Sequence, residues 1–86
     1  MQRGNVYPIL VGLLEDWRSR PAHELRAMLG RAPESRDVEI DGQIYSIDVQ
    51  VSPSTTSANV IVIEAVARGY NDQTSPRFEE RLEVRL

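Results

Sequence analysis

Between Arg36 and Val51, apolar and polar residues alternate around a single interruption, Asp41-Gly42. That dipeptide is the strongest short-range hairpin signal, because both central residues of a type I′ turn take positive φ. A two-residue turn at 41–42 sets Ile40 opposite Gln43 and Val38 opposite Tyr45. Val38 and Ile40 then share a face with Tyr45, Ile47, Val49 and Val51. Turn chemistry and hydrophobic pattern select the same register, and a one-residue slip would turn the whole apolar set to water. The chain must therefore build an antiparallel sheet with one buried face, and other segments must cover that face.

The cover is expected from upstream, where the period is about 3.6. Val6, Leu10, Leu13, Leu14 and Trp17 recur at helical spacing, and Ile9 and Val11 widen the stripe, which predicts a largely covered helix. Asn5 is the expected cap, with Pro8 in the first turn, where a missing N–H costs little. Gly12 weakens this helix and offers a place for another backbone to approach. Arg20 before Pro21 predicts a break. Pro21 then suits position N1 of a short second helix, capped by Ser19 or Arg20, with Leu25, Met28 and Leu29 as its apolar residues. Gly30 ends it. One kinked helix is the alternative. Together the helical segments are placed at about 5–30.

Downstream, the two hairpin strands are expected at about 36–41 and 43–51. Ser52-Pro53-Ser54-Thr55-Thr56-Ser57 reads as a loop. A third strand is expected at about 58–68; Asn59 to Ala67 is apolar on nearly every residue, as in an interior strand covered on both faces. With Val49 set opposite Ile61, the helix side gains Ile61, Ile63, Ala65 and Ala67. The far side gains Val60, Val62, Glu64 and Val66 beside Ile44. Residues 69–76 form another loop. In 77–86, Phe78, Leu82, Val84 and Leu86 alternate with Arg77, Glu79, Arg81, Glu83 and Arg85, so a fourth strand is preferred to the helix that Ser75-Pro76 would also start. The expected fold is α+β, with one or two N-terminal helices on one face of a four-stranded antiparallel meander, all in one domain.

With 86 residues, such a domain has a small core and is marginal by packing alone, so burial by self-association is a reasonable supplement. Composition removes many chemistries. There is no Cys for a disulfide, thiolate or zinc site, no Lys for a Schiff base or phosphate loop, and one histidine, His23. No cofactor or metal is implied. A net charge of −3 argues against a nucleic-acid or anionic-membrane partner. The apolar run from Tyr7 to Leu14 is too short to span a bilayer, and Glu15-Asp16 follows in place of a cleavage site, so a buried helix is expected. A chain free of cysteine fits a cytoplasmic location.

Gly42-Gln43-Ile44-Tyr45-Ser46-Ile47-Asp48-Val49-Gln50-Val51 resembles a segment that recurs in short bacterial proteins of no assigned activity. In those proteins a helical segment ending Glu-Leu-Arg-x-x-Leu-Gly precedes the hairpin, as Glu24-Leu25-Arg26-Ala27-Met28-Leu29-Gly30 does here. The resemblance covers about half the chain. It departs at Arg68-Gly69-Tyr70-Asn71-Asp72, where an Asp-Asp-Gly-Gly turn is common in that group. It implies a fold and no activity.

Several clusters invite a function. Ile44, Val60, Val62 and Val66 are the candidate interface, for a second copy of the chain or another protein. The Arg/Glu column on the last strand either pairs with a copy of itself or keeps an open edge from sticking; the second reading is preferred. Arg18, Arg20, Arg26, Arg31 and Arg36 make a basic patch, five arginines against Glu24 and Glu34, without the aromatics or motif of a nucleic-acid binder. Tyr70, Asn71 and Asp72 are the candidate ligand residues of the 69–76 loop, with His23 or the carboxylates Glu39, Asp41, Asp48 and Glu64 as possible acid–base partners. No catalytic spacing links them. The leading expectation is a non-catalytic module that forms a homodimer or binds another protein. The alternatives are a small-ligand binder or enzyme, and a weak nucleic-acid binder.

Overall fold

The computed structural model describes residues 3–40, 42–69 and 77–86. The order is α1 (Arg3–Arg18), α2 (Ala22–Ala27), β1 (Glu34–Ile40), β2 (Gln43–Pro53), β3 (Val60–Gly69) and β4 (Arg77–Arg85). The four strands form one antiparallel meander in sequence order. The helices cover one face, and the fold is α+β as the alternation requires. Residues 77–86 supply the fourth strand, not a helix.

The hairpin has the expected register, with Ile40 opposite Gln43 and Val38 opposite Tyr45. Gly42 has φ +80°, the left-handed conformation the turn needs. Asp41 and residues 70–76 lie outside the described residues. Inward-facing Tyr45, Ile47, Val49 and Val51 of β2 and Ile61, Ile63, Ala65 and Ala67 of β3 are buried against Val6, Leu10, Leu14 and Trp17 of α1. Leu25 of α2 completes this core, with Met28 and Leu29 half-buried beside it.

The β2–β3 register differs from expectation. Val49 faces Ala65, and it is Pro53 that faces Ile61. β2 runs on through Ser52 and Pro53, and the Ser54 N–H donates to the Val60 carbonyl at 3.0 Å, so the connection, at 54–59, is as long as the expected 52–57 loop but displaced by two residues. The Ser54 hydroxyl accepts from the N–H groups of Thr56 and Ser57 and holds the turn. The slip is four residues, an even number, so every side chain keeps its expected face.

The helices also differ in detail. α1 begins at Arg3, so Asn5 lies inside it and Pro8 falls in its second turn. The one backbone bond Pro8 forgoes, to the Gly4 carbonyl, lies near the N-terminal end of the helix. α1 and α2 are two helices, not one kinked helix. Pro21 is the N-cap of α2, with φ −59° and ψ 151°, and not its first helical residue; no side chain caps this end. The Pro21 carbonyl instead accepts from Glu24 and Leu25. Ser19 turns the other way, its hydroxyl donating to the Asp16 carbonyl at the end of α1.

Candidate interaction surface

One helix is about 10 Å across, while strands lie about 4.8 Å apart, so α1 is narrower than the sheet it covers. α1 packs on β3 and β4. Its two flanks are left uncovered, against the expectation of a largely buried helix: Tyr7 is 42% exposed, Ile9 37% and Val11 45%. On one flank, Tyr7 meets Phe78 of β4 edge to face, with ring centroids 5.2 Å apart, and Val11 lies one turn further along the helix. On the other, Ile9, Gly12 and Leu13 border a groove of about 270 Å³ whose far wall is Val38 and Ile47, with Asp16 and Arg36 also lining it. No backbone approaches Gly12; a Cβ built there meets nothing within 4 Å.

The far face of the sheet carries Ile44, Val60, Val62 and Val66, but not as one strip. The Ser46–Arg68–Arg77 row lies between Ile44 and Val66, and Glu64 lies between Val66 and Val62. Val62 is only 7% exposed, enclosed by Ser52 on β2, Glu83 on β4 and the turn at 54–56. Val60 and Val66 are half-buried, and Ile44, at 46% exposed, stands apart from the valines. Cover for Val62 thus comes from within the chain.

β4 is an open edge. Arg77, Glu79, Arg81, Glu83 and Arg85 share the far face and are exposed, with Arg77 and Glu79 paired at 2.8 Å and Arg81 and Glu83 at 3.9 Å. On the helix side, Leu82, Val84 and Leu86 are half-buried against the core. A core residue row therefore ends at this edge, and among the described residues no strand lies beyond it.

The five arginines are spread over several elements. Arg18 pairs with Glu15 at the end of α1, at 3.7 Å and largely in water. Arg20 lies 3.7 Å above the Trp17 ring, half-buried as a lid on the core. Arg26 is in α2, Arg31 in the turn after it, and Arg36 on β1 by the groove; all three are exposed. His23 is exposed in the first turn of α2. Asp48 accepts from the Ser35 hydroxyl across the β1–β2 pair. Glu39 is exposed on β1 and Glu64 half-buried on β3. Tyr70, Asn71, Asp72 and Asp41 lie outside the described residues. Among the described residues, no group of three or more His, Asp or Glu is arranged to hold a metal ion, and no helix is long and apolar enough to cross a membrane.

The α1 flanks escape the sequence reading because apolar residues all round a helix suggest burial. The signal that identifies them is width: a six-residue α2 cannot help a single α1 cover four strands. No family model, curated protein or solved structure matches the chain.

Proposed function

We propose that this chain is a small non-catalytic protein-interaction module whose partner is a second copy of itself. The supporting observation is that its core is left open along one side. Tyr7 and Val11 are exposed on α1, above a free strand edge where Leu82, Val84 and Leu86 are only half-buried. Apolar groups continuous with a core and left wet favour association. A bacterial, cytoplasmic setting belongs to the same proposal, on the resemblance of 24–30 and 42–51 to short bacterial proteins.

The other readings draw less support. The arginines of the basic patch are distributed over two helices, a turn and a strand, and two of them already have partners in Glu15 and Trp17. His23 lines none of the concave surfaces described above, and neither does Glu39 or Asp48.

Sedimentation velocity on the full chain across the micromolar range tests the proposal. A concentration-dependent dimer is expected. A monomer at every concentration would remove self-association as the function.

A further inference from the structure

Against the sequence preference for an edge kept from sticking, we infer that β4 is the self-association edge, pairing antiparallel with β4 of a second copy in a register centred on Leu82. The inference rests on the self-association reading and names its surface. In an antiparallel pair, residues directly opposite one another share a face, so only registers that match odd with odd keep the charged column together.

The charges then discriminate among these registers. Centred on Arg81, the pairing sets Arg77 against Arg85, Glu79 against Glu83 and Arg81 against itself, all like charges. Registers centred on Glu79 or Glu83 are equally repulsive. Centred on Leu82, every charged contact becomes opposite in sign: Arg81 faces Glu83 of the other copy and Glu79 faces Arg85, each twice by symmetry. Centred on Glu80, the outer column also matches, but two half-buried Glu80 side chains then oppose each other on the core side. In the Leu82 register the core side instead sets Leu82 against Leu82 and Phe78 against Leu86, with Glu80 against Val84, twice by symmetry, left unmatched. Opposite pairs directly across strands stabilise and like pairs destabilise, so the alternation excludes the odd-centred registers; among the even-centred ones, a centre on Leu82 pairs more of β4 than one on Val84 and keeps Glu80 from facing itself.

A further feature favours this edge: α1 lies over β3 and β4. With strands about 4.8 Å apart, a two-fold axis beside β4 brings the two α1 helices roughly 10 Å from one another, the distance at which helices pack. The exposed Tyr7–Val11 flank is on this side, as the Tyr7–Phe78 contact fixes. A two-fold arrangement closes, so it ends at the dimer.

The test uses two single substitutions at positions opposite valines of β3, Glu79→Arg and Arg85→Glu. Each turns two attractive contacts of the dimer into repulsions, and each should weaken the homodimer about tenfold or more by sedimentation velocity. Mixed together, the two variants restore both contacts, Arg with Glu in each case, and should form a heterodimer of near wild-type affinity. Circular dichroism checks that each variant is folded. A wild-type dimer indifferent to both substitutions, or variants that do not rescue one another, would place the contact elsewhere and overturn the β4 assignment while leaving self-association intact. A monomeric wild type would overturn both.

Discussion

Two glycines in this chain do opposite work. Gly42 sits at φ +80°, where any Cβ is strained, and its turn sets the register of the whole hairpin. Gly12 sits mid-helix on the exposed side of α1, and space for a Cβ is open there. Its backbone freedom is a cost without a structural return. Gly12→Ala should therefore raise stability by about 0.5–1 kcal/mol, and Gly42→Ala should lower it by about 1–2 kcal/mol. Urea unfolding at one fixed protein concentration reads both as shifts of midpoint, in opposite directions. A stability loss on Gly12→Ala would mean that this position is closely packed in the working assembly. Residue-level legibility follows the same division. Gly42 was readable because a two-residue turn has few chemical solutions. The role of Gly12 was not, since helix periodicity does not say which flank has a neighbour.

At the scale of elements, the strands were legible and the connections between them less so. Period 2 fixes which side of a strand is buried, and β1, β2 and β4 carry that pattern plainly. It says nothing about a slip of two or four residues, because an even slip preserves every face. Hence the β1–β2 register, pinned by a two-residue turn, was readable, while β2–β3, joined through a serine- and threonine-rich segment with no fixed turn length, was displaced by four. The candidate interface suffered for the same reason. Ile44 and the β3 valines do share a face, but their spacing along it depends on the register that the pattern leaves open. The helices show a further limit. α2 has six residues and no side-chain cap, so it is too short to persist alone and depends on burying Leu25. Native-state hydrogen exchange should therefore rank β2 and β3, paired on both sides, as the slowest elements. α2 and the exposed Glu34–Asp37 half of β1 should be the fastest. Protection of α2 equal to that of β3 would show that the short helix is held by contacts beyond Leu25.

For the whole molecule, the difficulty is size. The core has no buried charged or polar residue among those described, no disulfide closes it, and a domain this small buries a modest fraction of its surface. A partner that binds only the folded state adds stability by mass action, so a chain whose core is open along β4 should be more stable when concentrated. While the dimer predominates, each tenfold rise in concentration should raise the thermal midpoint by about 3–5 °C, since roughly 0.7 kcal/mol per chain moves a domain of this size by that much. Arg85→Glu should show the same rise only at concentrations about tenfold higher or more, and below them a midpoint equal to that of the dilute wild type. Added salt should lower the concentration dependence of the wild type only in part. It screens the exposed Arg–Glu contacts but leaves the burial of Leu82, Leu86 and the α1 flank. A wild-type midpoint flat with concentration would mean that the single chain already closes its core well enough. The exposed flank of α1 would then be available to a different protein, and the alternating charges of β4 would be what keeps two copies apart.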